Sequence, residues 1–202
     1  SSQNVIENKI FIENKMFMEI RGTEKMKNIT KEEINIKEFF EKYPNVAIAL
    51  SGGVDSVFLI YMAKKYAKSV KAYFVKSVFQ PEFEKKDAEK ICRQLGVDLK
   101  ILNVDVLSNK LVTDNPVNRC YYCKQGVFET ILEAAKNDGM TVILDGTNAS
   151  DDADDRPGMK ALQEMKVLSP LRMCGYVKSE IRKQSKEAGL FVYNKPSYAC
   201  LA

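Results

Sequence analysis

The apolar run Val46–Leu50, the six residues Ser51-Gly52-Gly53-Val54-Asp55-Ser56 and the helical pattern after them form a strand–loop–helix junction that constrains this chain more than any other stretch. Such a junction is built to hold a pyrophosphate. Two glycines let backbone N–H groups approach phosphate oxygens closely, and the first turn of the helix offers N–H donors at the positive end of its dipole. Ser51 and Ser56 add hydroxyl donors. A loop of the form G-x-x-x-x-G-K-[ST] would carry a lysine to the outer phosphates, and none stands here, so the expected chemistry differs from ordinary phosphoryl transfer. Asp55 is a candidate Mg²⁺ ligand, directly or through water, because a hard cation with oxygen ligands commonly accompanies nucleotide phosphates. A plain turn into a helix, with Asp55 in the first turn, is the bland alternative.

The remainder of the chain alternates in the same sense. Strands are expected at residues 46–50, 71–78, 99–106 and 141–145; helices are expected at 55–67, from Pro81 to a stop at Gly96, and within 121–137, closed by Gly139. A loop is expected through Thr113-Asp114-Asn115-Pro116. Strands separated by helices imply parallel β-α-β units in an α/β, doubly wound sheet, with ligands gathering beyond the carboxyl ends of the strands. Ile34–Tyr43 reads as a short amphipathic helix ended before Pro44. A further helix, opened by Lys178, Glu180 and Arg182 and ended by Gly189, reads as structural or interfacial.

With 202 residues, 45% of them hydrophobic, the chain suits one sizeable domain with a small appendage and needs no staples. A net charge of +4 favours anionic ligands but falls well short of an obligate nucleic-acid binder. No run approaches the ~20 apolar residues of a membrane span, and the first residues lack a signal-peptide core, so a reducing cytoplasmic location is expected. In that compartment five cysteines point to metal ligands, catalytic thiols or core residues rather than disulfides. Histidine is absent, which excludes Ser-His and Cys-His catalysis by this chain alone and removes the commonest zinc ligand.

Cys120 and Cys123 form a C-x-x-C pair, and Cys200 stands far downstream. Thiolates are soft ligands suited to iron–sulfur centres, and a close pair with one remote cysteine can cap three irons and leave a fourth open. Zinc would want a fourth ligand from Cys92, Cys174 or a carboxylate, and a disulfide also fits the spacing. Cys92, on an apolar helix face, reads as core. Arg119 and Lys124 flank the pair, where they could lower a thiolate pKa or meet a substrate phosphate. Asp145-Gly146-Thr147-Asn148 ends the fourth strand, where a turn brings backbone donors and a hydroxyl toward a nucleotide. Asp151, Asp152, Asp154 and Asp155 crowd the loop before Arg156-Pro157-Gly158, either to organise Mg²⁺ or a cationic ring, or as a solvated cap on the next helix.

The ordered set S-G-G-V-D-S, N-P-x-x-R-C-Y-Y-C-K, D-G-T-N-x-x-D-x-x-D-x-R-P-G, S-P-L and K-P-S-x-A-C-L-A resembles the LarE family of sulfur transferases from Val46 to Ala202. That family lies within the PP-loop ATP pyrophosphatases, whose fold is adenine nucleotide alpha hydrolase-like. The resemblance implies ATP and Mg²⁺ bound at Ser51, Gly52, Gly53, Asp55, Ser56, Gly146 and Thr147. ATP would adenylate a carboxylate of pyridinium-3,5-biscarboxylic acid mononucleotide, and sulfur would then replace AMP during nickel-pincer nucleotide synthesis. Arg119, Asp151 and Arg156 are expected near that substrate. The sulfur source implied is either a 4Fe-4S cluster on Cys120, Cys123 and Cys200 or Cys200 itself, consumed as a sacrificial donor. Residues 1–33 then read as a poorly ordered extension, 34–168 as the PP-loop domain, and 169–202 as the start of a sulfur-transfer region whose arginine-containing continuation is expected beyond Ala202. Expected partners are the pyridinium mononucleotide, a sulfide donor and further copies in a homo-oligomer, with no membrane and no nucleic acid. A tRNA thiolase of the same superfamily and a nucleotide-binding regulatory module are the competing readings.

Overall fold

The computed structural model describes residues 35–78, 80–105, 108–115, 117–151 and 156–196, with the side chain of Arg156 excepted. The N-terminal extension expected at residues 1–33, the acidic residues Asp152, Asp154 and Asp155, and Cys200 lie outside the described residues.

Helix α1, Ile36–Lys42, starts where the Asn35 side chain accepts a bond from the Glu38 N–H at 2.9 Å, and it buries Ile36, Phe39 and Phe40. Beyond it lie four parallel strands: β1 (Asn45–Ala49), β2 (Ser69–Lys76), β3 (Asp98–Asn103) and β4 (Ile143–Leu144), in spatial order β3-β2-β1-β4. A parallel bridge from Leu144 to Leu168 extends the pairing past β4. The order reverses between β1 and β4, since the chain first builds outward through β2 and β3 and then returns to the other side of β1. In open α/β sheets the crevice at such a reversal, outside the carboxyl ends of the strands, is where ligands bind.

Both faces of the sheet are covered, as parallel sheets require. Helix α2, Val54–Tyr66, follows β1 and is apolar nearly all round, burying Val54, Val57, Phe58, Leu59, Ile60, Met62 and Ala63. Such a helix has no solvent face to present, and it is enclosed by the sheet, α1 and the C-terminal helix described below. Helix α3 (Glu82–Leu95) packs on β2 and β3 and ends at Gly96, whose φ of 63° closes the helix with a left-handed residue. Its buried Cys92 sits among core residues, where burial pushes the thiol pKa up to about 11, as befits a core residue rather than a reactive one.

After β3 comes a short helix α4 (Lys110–Asp114), which overlaps the loop expected through Thr113-Asp114-Asn115-Pro116 at Thr113 and Asp114. Asn109 caps it, accepting from the Leu111 N–H at 3.0 Å, and the Asn115 side chain bonds the Leu111 carbonyl, so local side-chain bonds outweigh the lack of an apolar period. Helix α5 (Arg119–Asn137) and helix α6 (Arg156–Glu164) cover the second face; Phe128, Ile131, Ala135 and Leu162 pack on Ala47, Tyr73, Val75 and Ile143. The chain continues through α7 (Pro170–Met173), α8 (Lys178–Glu187) and a 3-10 turn at Phe191–Asn194. Among the described residues no helix is long and apolar enough to cross a membrane.

At the reversal the turn after β4 touches the first turn of α2 through backbone. A Cβ added at Gly146 would stand 2.8 Å from the Ser56 nitrogen and 3.0 Å from its Cα, so only glycine permits this approach. Gly146→Ala is therefore expected to lower unfolding free energy by about 1–3 kcal/mol, the usual cost of overpacking. Urea unfolding checks this, and an unchanged midpoint would mean that the two turns part without cost.

Candidate functional site

The loop between β1 and α2 is organised by hydroxyls. The Ser56 side chain accepts from the Ser51 N–H at 3.2 Å, lies 3.0 Å from the Ser51 hydroxyl and donates to the Gly53 carbonyl at 3.3 Å. Gly52 has φ of 81°, a conformation that favours glycine. Gly53 is the N-cap of α2 and supplies no side chain to cap it, which leaves the helix's first-turn N–H groups aimed at the loop's concavity. An anion seated there meets the positive end of the dipole and several converging donors.

Asp55, in the first turn of α2, is the centre of a polar network. Its Oδ2 accepts from Lys178 Nζ at 2.5 Å and from the fully buried Asn148 Nδ2 at 3.2 Å, while its Oδ1 is buried with no hydrogen-bond partner among the described residues. A buried carboxylate oxygen without a partner is costly. It fits a metal ligand, because a hard cation takes carboxylate oxygens and would satisfy that atom. Asn148 is itself held by Ser150, whose N–H and hydroxyl donate to Asn148 Oδ1 at 2.7 and 2.6 Å. Asp151 accepts from the Asn148 N–H at 2.8 Å, which shapes the turn after β4 and leaves Asp151 on the cavity wall.

That cavity, about 650 Å³, opens between the ends of β1 and β4. Ser51, Asp55, Ser56, Asp145, Gly146 and Thr147 form its polar side, and Val127, Phe128 and Ile131 of α5 form much of its apolar side. The volume and the division into one apolar and one polar wall suit a nucleotide. Asp145 accepts from the Ser169 hydroxyl at 2.5 Å and the Thr147 hydroxyl at 2.6 Å. Ser169 belongs to the S-P-L sequence and was not singled out from the sequence.

Of the residues expected at a nucleotide site, Ser51, Asp55, Ser56, Gly146 and Thr147 line this cavity with Asp151, whereas Gly52 and Gly53 belong to the same loop but are not among the lining residues. Cys120 and Cys123 lie one turn apart at the start of α5, Cys120 exposed and Cys123 half-buried, so both thiols share a helix face. Lys124, next along, lines the cavity. Arg119 is half-buried at the first position of α5 and is not among the cavity's lining residues. Among the described residues no group of three or more His, Cys, Asp or Glu side chains gathers around a point that could hold a metal.

The helix opened by Lys178 reaches the first turn of α2. Lys178 reaches Asp55 across 123 residues of sequence. Arg182, on the same helix, donates to the carbonyls of Tyr193 and Lys195 at 2.9 and 2.8 Å, and Lys195 Nζ in turn bonds the Gly52 carbonyl at 3.1 Å. Amphipathic patterning gave no hint of these contacts, since a lysine on a polar helix face reads the same whether it meets water or a carboxylate.

Residues 23–156 match the PP-loop domain family. The chain belongs to that family. An uncharacterized protein of Synechocystis sp. is 33% identical over 170 residues, which cover 83% of this chain and 63% of that protein. The pyridinium-3,5-bisthiocarboxylic acid mononucleotide synthase of Lactiplantibacillus plantarum is 30% identical over 152 residues, covering 74% of this chain and 55% of the synthase. Both relatives are thus longer than the part this chain spans. Among solved structures, the NH3-dependent NAD synthetase of Campylobacter jejuni superposes with a TM-score of 0.61 at 18% identity, over 81% of this chain and 76% of the synthetase, which shows a shared fold.

In this PP-loop site the Asp145 carboxyl is held above its usual range; burial is the largest cause, opposed by bonds from Ser169 and Thr147 and by the charge of Lys124. Between the ordinary carboxylate range and the raised value, the folded protein keeps a proton that the unfolded chain has released. Stability from this group is therefore greatest in acid and falls as pH rises through that window. Asp145→Asn should remove the effect, so that wild type loses stability relative to the variant as pH goes from about 4 to about 7. Urea unfolding of both proteins across that range checks the sign; parallel curves would contradict it.

Proposed function

We propose that this PP-loop protein is an ATP-dependent sulfur transferase of the LarE type, acting on a carboxylate of pyridinium-3,5-biscarboxylic acid mononucleotide. The observation that carries the reading is the pairing of a helix N-terminus without a side-chain cap with the unpartnered Oδ1 of Asp55, a residue lining a nucleotide-sized cavity. Similarity to a synthase named for the bisthiocarboxylic acid product supports the choice of substrate.

In this mechanism the triphosphate lies along the loop, with donors from Ser51, Gly52, Gly53 and Ser56 on the outer phosphates, and Gly146 and Thr147 beside the nucleoside. Asp55 would hold Mg²⁺, which when bound would supply neutralising charge to the triphosphate. A substrate carboxylate oxygen attacks the α-phosphorus, the bond to the β-phosphate oxygen breaks, and pyrophosphate is retained by the same backbone donors that oriented it. Since those donors face the leaving group, they stabilise the charge that develops on it. A sulfur nucleophile then attacks the acyl carbon and AMP departs with the C–O bond electrons. Arg119, Asp151 and Arg156 are assigned to the substrate side. No histidine is available, and none is required, because the attacking carboxylate is already ionised at neutral pH.

Cys120, Cys123 and Cys200 would hold a 4Fe-4S cluster, which when bound supplies exchangeable sulfide. The one-turn spacing of Cys120 and Cys123 supports two of those three ligands. Iron and acid-labile sulfide on protein purified without oxygen test this directly: both are expected in the wild type and lost in Cys120→Ala and Cys123→Ala. Iron-free wild type would turn the assignment to Cys200 as the consumed sulfur donor.

Full-length protein incubated with ATP, Mg²⁺ and the biscarboxylic mononucleotide is expected to yield pyrophosphate, AMP and a substrate heavier by sulfur-for-oxygen exchange. Cys200→Ala should abolish the mass gain and keep ATP binding. A folded, sulfur-loaded enzyme that makes none of the three products would sink the reading, and one that thiolates tRNA instead would replace it.

A further inference from the structure

Lys195 is five residues before Cys200, yet its side chain reaches back to the phosphate loop. Its Nζ donates to the Gly52 carbonyl at 3.1 Å and to Asp87 Oδ2 of α3 at 3.0 Å, and lies 5.1 Å from the centre of the Phe83 ring. Only 10% of the side chain is exposed. Arg182 fixes the backbone behind it through the Tyr193 and Lys195 carbonyls. On the other side of Gly52, the first turn of α3 is packed so closely that an added Cβ would meet the Glu84 carbonyl oxygen at 3.2 Å.

The bond to Gly52 settles the direction of one peptide. In a trans peptide the C=O and the following N–H point to opposite sides. With the Gly52 oxygen held outward by Lys195, the Gly53 N–H must turn inward, and it points at the Ser51 hydroxyl at 3.4 Å. That distance is long for a hydrogen bond, so this N–H retains most of its donating capacity for an anion in the loop. Both residues of this peptide are glycines, the least hindered pair for a flip. A flipped peptide would place a carbonyl oxygen, the negative end of its dipole, where a phosphate must sit.

We propose that Lys195 is a positioning residue that locks the Gly52–Gly53 peptide with its N–H facing the phosphate, and so couples occupancy of the loop to docking of the 191–196 segment. The coupling is reciprocal: if the docked lysine favours phosphate binding, bound phosphate favours the docked lysine by the same factor. Nucleotide entry thereby tightens the segment that leads to Cys200, without any direct contact between Lys195 and the nucleotide. The inference rests on the phosphate-binding reading of the loop and is independent of sulfur transfer.

Calorimetric titrations with pyrophosphate, ATP and adenosine on the full chain test it. Lys195→Met should weaken pyrophosphate and ATP about tenfold, the effect of one charge-assisted hydrogen bond, and leave adenosine affinity unchanged, a split that general loosening would not produce. Where Lys195→Met fails to fold, Lys195→Gln, a donor too short to hold the Gly52 oxygen, is read in the same way. In the wild type, pyrophosphate should slow hydrogen exchange across residues 191–196. Wild type that binds pyrophosphate while the variant binds equally well overturns the inference, as does exchange at 191–196 that ignores pyrophosphate. Wild type that binds no pyrophosphate overturns the phosphate-loop reading as well.

Discussion

Backbone-to-backbone contact between Gly146 and the start of α2 at Ser56 is the constraint on which the site depends. It exists because β1 and β4 are neighbours, and they are neighbours because strand order reverses there. Once these two strand ends are side by side, the loop after β1 and the D-G-T-N turn after β4 have no choice but to share a cavity. The hydroxyls of Ser51, Ser56, Thr147 and Ser169 then fall within a small volume, and the carboxylates of Asp55 and Asp145 are drawn into it at a desolvation cost that protein donors partly offset. The concentration of polar groups in one place is thus a product of topology first and side-chain chemistry second.

Much of this was legible beforehand. Alternation of apolar runs with helical periods identified the parallel sheet, and Ser51-Gly52-Gly53 followed by Asp55 and Ser56 identified the loop, because glycine placement and helix entry are local matters. Strand limits were less legible: Thr141–Asp145 reads as one strand, whereas β4 is only Ile143–Leu144, with the Val142 carbonyl and the Asp145 N–H on either side still bonded to Ala47 and Leu168. The contacts made by Lys178 and Lys195 were not legible at all. Each joins residues more than a hundred positions apart, and nothing in the spacing of charges along a helix or turn says which long cation will find a buried partner.

Electrostatically the site is arranged in two tiers. Lys178 neutralises one oxygen of Asp55 and leaves the other, buried Oδ1 without a hydrogen-bond partner among the described residues, so the carboxylate does not stand as a fully unpaired buried charge. Lys195 acts a step further out, spending its charge on Asp87 and a backbone oxygen rather than on the cavity itself. A positive group that meets the anion directly would raise affinity for every phosphate alike. One that acts through peptide orientation selects for ligands that use the loop's own N–H groups.

Helix α2 is enclosed on nearly every side, and this bears on how the protein tolerates sequence drift. A surface helix can exchange half its residues at little cost, because substitutions within its solvent face move stability by only a few tenths of a kcal/mol. From Val54 to Ala63 almost every side chain meets protein, so replacements there must conserve volume as well as polarity. Adaptation to a different ligand is correspondingly pushed outward, to the start of α5, where side chains such as Arg119, Tyr121 and Tyr122 are half-exposed and neighbours can give way.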